Sequence, residues 1–505
     1  MGKNQLPNII LVLTDDLGYG DVSCLNPNSK IHTPNIDRLA AEGMAFTDMH
    51  ASSSVCSPSR YALLTGRYNW RSRTKFGVLP GTSPSLIEDG RLTMAEMLRG
   101  KGYRTACVGK WHLGMKWHTA EGIEQTFNLF QRISDRFDMG LDFSRPIEDG
   151  PVNRGFDYFF GTAASLSQAP YVFIENDMPR DIPHREIGHG MADTKTAAGA
   201  MTFDQGPIAD GFEFQQAVPT CDKKVLELID EYAQGNEPFF LYYPTLAVHS
   251  PLVPADEFVG KSGIGPYGDF VLQVDHFMGK LDARLEERGL SDNTIVIFTS
   301  DNGCSHVVDF PHLKELGHNP SYVFRGAKSD IWEGGHRVPF LIRWPGRVAS
   351  GSACSETICL TDLFATFADI TGYPLPDNAA EDSFSFLPLM KGGDSFSREY
   401  TVHHSVEGCF SIRKGDWKLE MCAGSGGLSE PTCANSGGLP PVQLYNLKDD
   451  VGERSNLCAQ YPQVERELRD ILTACIKNGR STCGSPQENA PADPWPGLEW
   501  ITEYK

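Results

Sequence analysis

No stretch of this chain is apolar for long enough to cross a bilayer as a helix. Basic residues are in the minority: 45 Lys and Arg stand against 65 Asp and Glu, a formal net charge of -20. That balance speaks against general nucleic-acid binding, which needs a basic face, and any anionic ligand would have to be met by a local positive pocket. Cys-x-x-Cys pairs are missing, which argues against a zinc ribbon. There is no repeat array. Nothing reads as a secretory leader, because Met1–Leu6 is short and mostly polar and the first strand begins at once. The compartment is therefore open between the cytoplasm and a mature or trimmed exported form.

What is present is size. With 505 residues and 40% hydrophobic content the chain can bury a large core, and more than one domain is expected. The 13 cysteines are odd in number and scattered, which suits a reducing compartment. Any bridges are expected among Cys409, Cys422, Cys433, Cys458, Cys475 and Cys483.

The stretch that organises the rest is Cys56-Ser57-Pro58-Ser59-Arg60, continuing to Leu63-Leu64-Thr65-Gly66-Arg67. A polar loop, Ala51–Ser54, feeds a helix start. Pro58 suits the first turn and Gly66 is a natural stop. Cys56 then lies at a helix N-terminus, where free N–H groups and the dipole favour negative charge, and Arg60 adds a cation one turn on. Such a place suits a nucleophile acting on an anionic group, or a thiol of lowered pKa.

Two apolar runs read as strands buried on both faces, as in a parallel sheet. Asn8–Thr14 ends in Asp15-Asp16, and Thr294–Ser300 ends in Asp301-Asn302. Ligands of open α/β sheets sit at such strand ends. Three carboxylates and one amide oxygen make an all-oxygen set, suited to Ca²⁺ or Mg²⁺ rather than zinc. A third strand, Tyr103–Val108, delivers Lys110 and His112, and a fourth, Pro238–Tyr243, leads to His249. Helices are expected over Asn35–Glu42, up to Arg99 from a capping box at Thr93–Glu96, and over Cys221–Glu231, Asp269–Glu287 and Leu360–Ile370. Residues 119 to 220, with Arg180, His184, Arg185 and His189, read as long binding loops. Another loop carries His306, His312 and His318. The fold class is thus α/β, a large mixed, mostly parallel sheet flanked by helices. A Pro-, Asp- and Gly-rich segment before Ser397 marks a boundary. We divide the chain into residues 1–395 and a small α+β subdomain, 396–505. The latter holds a hairpin (Cys409–Arg413 and Trp417–Leu419), a strand Val442–Leu447 and a helix Val464–Ile476.

The Cys56–Arg67 stretch resembles the signature of the type I sulfatases of the alkaline-phosphatase superfamily. Gly109-Lys110-Trp111-His112-Leu113-Gly114 looks like their second signature, and Gly155–Gly161 and Trp332–Pro339 also look like family sequence. The resemblance runs from Asn8 to about Gly346. It implies that Cys56 is converted by a formylglycine-generating maturation enzyme to formylglycine (3-oxoalanine), whose hydrate is a geminal diol. It implies Asp15, Asp16, Asp301 and Asn302, completed by residue 56, as ligands of Ca²⁺ or Mg²⁺. One diol hydroxyl attacks sulfur, with Asp301 assisting, to give a covalent sulfate ester. The other then loses its proton to His112 and expels sulfate. Arg60 and Lys110 hold the diol and the sulfate, and His249, helped by Lys328, is the acid at the leaving oxygen. The polar loops, with His306 and His318 as substrate contacts, suit a sulfated glycan of galactose or N-acetylgalactosamine type better than a flat aryl group. Three other readings stay open: a formylglycine-dependent phosphonate or phosphate ester hydrolase, a non-catalytic glycan-binding protein, and a zinc phosphatase with a Ser or Thr nucleophile.

Overall fold

The computed structural model describes residues 6–121, 125, 140–188, 190–191, 202–491, 495 and 497–501. Part of the expected 119–220 loop region, His189 included, lies outside the described residues.

Ten strands form the main sheet: β1 (Asn8–Thr14), β2 (Met44–Phe46), β3 (Arg104–Lys110), β4 (Tyr158–Thr162), β5 (Ile174–Glu175), β6 (Met178–Pro179), β7 (Phe239–Pro244), β8 (Thr294–Ser300), β9 (Phe340–Arg343) and β10 (Ser352–Cys354). Their order is β10-β2-β9-β8-β1-β7-β3-β4-β5-β6. The central five, β8-β1-β7-β3-β4, are mutually parallel. Antiparallel pairings at β9 and β5 flank them. The expected mixed, mostly parallel sheet is what forms.

The apolar run of β1 explains its central place. Ile10 and Val12 enter a core shared with α1 (Pro34–Glu42), α4 (Phe214–Tyr232) and α5 (Pro266–Glu287). Ile9, Leu11 and Leu13 enter a second core, on the opposite face of the strand, shared with α2 (Cys56–Thr65), α3 (Met94–Arg99) and α6 (Asp362–Thr371). Each such side chain contributes about 1.5–3 kcal/mol on burial, so β1 has no tolerance for a solvent-facing slip. The capping box at α3 forms as expected, with Thr93 accepting from the Glu96 N–H. Helix α4 starts seven residues before its expected position, at Phe214, with Pro219 inside it. Buried Ala217 and Val218 anchor that early turn.

The C-terminal part carries a four-stranded antiparallel sheet, β11 (Thr401–His404), β12 (Phe410–Lys414), β13 (Trp417–Glu420) and β14 (Gln443–Asn446), in sequence order. Helix α7 (Pro462–Lys477) covers it, and their core takes in Tyr68 and Trp70. His404 O accepts from the Ser54 N–H and Ser53 Oγ, both 3.0 Å away, so the small sheet is bonded to the loop before Cys56. All 13 cysteines are free. No bridge links the last six, in line with the reducing reading, and Cys409, Cys422 and Cys433 meet as three thiols.

Candidate active site

Except for Lys328, which lies in the loop before the short helix Glu333–His336, the residues of the site hang from the carboxyl ends of parallel strands or from the first turns of α2. Asp15 and Asp16 follow β1, and Asp301 and Asn302 follow β8. Lys110 ends β3, and His249 lies five residues beyond β7. Asp16 and His112 hold left-handed φ angles of 65° and 56°, and Ser329, beside Lys328, one of 83°. Such angles cost energy in non-glycine residues and mark backbone held in place by its surroundings. Gly303 shows how the Asp301 turn is seated: a Cβ there would come within 1.9 Å of Gly334 O, so the Gly334-Gly335 pair and Gly303 pack backbone against backbone.

Cys56 is the first residue of α2, which ends at Gly66 with φ 63°. Burial raises the thiol's pKa, against the pull of Lys110 and Lys328. The expectation of a lowered thiol pKa is therefore corrected: an unmodified Cys56 is a protonated, weak nucleophile.

Charge is arranged in layers. Arg60 Nε donates to Asp301 Oδ2 at 2.9 Å, Nη2 lies 2.8 Å from the same oxygen as an ion pair, and Nη1 donates to Lys110 O at 2.8 Å. Lys110 Nζ donates to Asp15 Oδ2 at 2.7 Å, and Lys328 Nζ to Asp16 Oδ2 at 2.8 Å. Burial works against ionisation of Asp15, but Lys110, His249 and Arg60 together hold it well below the usual carboxylate range. Asp301 goes the other way, raised by burial despite Arg60.

Within the site, Asp15 Oδ1 and Asn302 Oδ1 are buried oxygens with no hydrogen-bond partner. Asn302 is turned so that its Nδ2 donates to Asp16 Oδ1 at 2.8 Å, which leaves its oxygen free. Ligand atoms of Asp15, Cys56 and Asp301 lie within 4.8 Å of one another, as do those of Asp15, Asp16 and His249. A buried acceptor without a donor is costly unless a cation faces it. The donor set therefore fits a hard divalent ion.

The two histidines are neutral and singly oriented. His112 Nε2 donates to Leu79 O at 2.8 Å, which leaves a buried, unpartnered Nδ1 as a proton acceptor. Burial, Lys110 and Arg60 keep that ring well below its ordinary pKa. His249 Nδ1 donates to Ser250 O at 2.6 Å, so Nε2 faces the site, 3.6 Å from Asp16 Oδ2. Burial first and Lys328 second push its pKa down to about 4.

The expected substrate contacts divide. His306 is at the rim, 28% exposed, its Nε2 3.5 Å from Asp330 Oδ2. His318 is fully buried; its Nε2 donates to Asp21 at 2.8 Å and its Nδ1 accepts from the Lys30 N–H at 3.2 Å. Both ring nitrogens are thus spent inside the protein, and His318 is corrected from a substrate contact to a residue that fixes the loop. His312 lies on a short helix, Phe310–Glu315, not in an open loop. Sequence reasoning missed Asp330, which is buried and accepts from Leu428 N, Ser429 N and Ala327 N. Only its place two residues after Lys328 hinted at it.

Three fixed cations around an acidic, oxygen-lined cradle are what transfer of a tetrahedral anion needs. The fold and the site thus define a hydrolase of anionic esters. Residues 7–373 match the family model described as Sulfatase, and residues 327–426 match that of the N-sulphoglucosamine sulphohydrolase C-terminal region. An N-acetylgalactosamine-6-O-sulfatase of Bacteroides thetaiotaomicron is 36% identical, over 93% of this chain and 93% of that one. Human arylsulfatase A is 33% identical, over 97% of this chain and 91% of its own. A solved structure of a protein of glycosaminoglycan metabolism in Bacteroides thetaiotaomicron superposes with a TM-score of 0.81 at 34% identity, covering 93% of this chain and 99% of that one. The chain belongs to the sulfatase family and is a sulfuric ester hydrolase. Enzymes of this family generally use a formylglycine and a divalent metal.

Proposed function

We propose that this enzyme removes sulfate from a galactose- or N-acetylgalactosamine-type sugar, and that the ester is on O6. The similarity to the N-acetylgalactosamine-6-O-sulfatase, spanning 93% of both chains, is the observation that carries the substrate class. Polar residues at the rim, His306 among them, agree with a sugar rather than an aryl partner.

Asp15, Asp16, Asp301 and Asn302 would hold the cation, Ca²⁺ by the all-oxygen set, with Mg²⁺ as the other fit. When bound, it neutralises the sulfate's charge. Formylglycine at position 56, made by a maturation enzyme, supplies a diol with one hydroxyl to attack sulfur and a second through which sulfate is released.

The remaining work falls to the chain's own side chains. Arg60 and Lys110, locked by Asp301 and Asp15, hold the diol and the sulfate oxygens. Asp301, raised by burial, takes the first proton at its carboxylate. His112 takes the second at Nδ1, the nitrogen with no other partner. His249 delivers a proton from Nε2 to the leaving oxygen. Its ring is neutral in the free site, and the incoming anionic sulfate raises its pKa because a nearby negative charge favours the protonated form. Lys328 steadies the same oxygen. The division at residues 395 and 396 assigns this chemistry to the first part and the support of its rim to the second.

The test is sulfate release, followed by ion chromatography, from matched sugars. Faster turnover of N-acetylgalactosamine or galactose 6-sulfate than of the 4-sulfates and of phosphate monoesters is expected. Preference for a phosphate or phosphonate ester would overturn the assignment.

A further inference from the structure

Outside the active site, three cysteines meet where the sequence offered no spacing pattern to announce them. Cys409 precedes β12, Cys422 follows β13, and Cys433 lies in the next loop. Their sulfurs are within 4.8 Å of one another, and Cys409 Sγ is 3.7 Å from Cys433 Sγ. Cys409 and Cys422 are each 8% exposed, and Cys433 is half-buried. Ile331 and Trp332 wall the inner side.

The backbone holds these sulfurs in place. Ser405 N donates to Cys409 O at 2.9 Å, and Cys409 N donates to Ser405 Oγ at 3.1 Å. Gln443 Nε2 donates to Cys422 O at 3.0 Å. Gly426, at φ 61°, passes so close that a Cβ would come within 3.0 Å of Cys409 Sγ. Thiols are weak donors and weak acceptors, so three of them around one point make poor structural glue. A tetrahedral thiolate site, by contrast, with metal–sulfur bonds near 2.3 Å, sets its sulfurs about 3.8 Å apart. A disulfide would use two of the three and strand the other.

We propose that Cys409, Cys422 and Cys433 bind one thiophilic d¹⁰ cation of the zinc class. The site is distinct from the oxygen-lined active-site cradle, which selects a hard ion. Binding releases three thiol protons to solvent and transfers no electrons. The ion would pin the 423–433 loop. That loop carries Leu428 and Ser429, whose N–H groups both donate to Asp330 at 3.0 Å, two residues from Lys328. A soft metal would thus fasten the rim beside a catalytic lysine.

The experiment uses the full chain, reduced, stripped with a chelator and dialysed against zinc, with metal counted by mass spectrometry. Cobalt(II) replaces zinc in a parallel sample. The expected result is one bound zinc per chain, protection of three thiols from a thiol reagent, and a sulfur-to-cobalt charge-transfer band in the near ultraviolet. Cys422→Ser and Cys433→Ser should lose the zinc and the band, while Asp301→Asn should keep both. If Cys422→Ser does not fold, the more exposed Cys433→Ser and the thiol protection of the unaltered chain give the same answer. Zinc that is lost in Asp301→Asn, cobalt without a thiolate band, or a disulfide among the three cysteines in protein from its native host would overturn the proposal.

Discussion

Lys328 Nζ lies 2.7 Å from Asp16 Oδ1 and 2.8 Å from Asp16 Oδ2, a two-point grip between residues 312 apart in the chain. Breaking a buried pair by removing one partner leaves an uncompensated charge, at a cost of about 3–5 kcal/mol. Lys328→Ala should therefore lower the unfolding free energy by ~3 kcal/mol in chelator. Saturating Ca²⁺ should recover part of that loss, since the cation then offsets the freed carboxylate's charge. Calorimetry with and without Ca²⁺ checks it; an equal loss in both would show that Asp16 is not a ligand.

His249 is assigned to the leaving oxygen, so its value depends on the leaving group. General acid catalysis contributes roughly 10²–10⁴-fold. His249→Ala should lose that much on a sugar 6-sulfate and much less on an aryl sulfate with an acidic phenol. Steady-state kinetics on the two substrates decides; equal losses would make His249 a binding residue only.

Chelation should act on stability as well as rate. A ligand present at about 100 times its dissociation constant stabilises the folded state by about 2.7 kcal/mol. Removing the ion should lower Tm accordingly, and Ca²⁺ or Mg²⁺ should restore both Tm and turnover. Asp15→Asn should abolish the Ca²⁺-dependent rise in Tm.

A fourth outcome concerns stability and pH, away from the site. Tyr243 OH donates to Asp222 at 2.5 Å, and burial pushes the Asp222 pKa up to about 7. The folded state thus holds a proton that the unfolded chain releases near pH 4. This contribution is complete below about pH 4 and is lost as pH rises towards 7. Asp222→Asn should flatten the fall in Tm over that interval relative to the parent; parallel curves would remove Asp222 as its source.

The parallel core was legible because strands buried on both faces are written as apolar runs, as at Asn8–Thr14 and Thr294–Ser300. The acidic pairs that follow those runs marked the proposed ligands, and the Cys56–Arg67 stretch marked the start of α2. What stayed hidden depends on long-range contact. His318 looks like any loop histidine until Asp21, 297 residues away, is found against it. Asp330 and the three-thiol cluster arise only when the 423–433 loop folds back on the Lys328 turn. Burial overrode the helix-terminus effect at Cys56, because desolvation of the thiol outweighs the nearby positive charges.

The most direct test is the mass of the peptide that contains residue 56, measured together with sulfate release on protein from its native host. The account predicts that sulfur and two hydrogens are replaced by one oxygen, and that turnover scales with the converted fraction. Full activity in protein whose Cys56 is intact would contradict it.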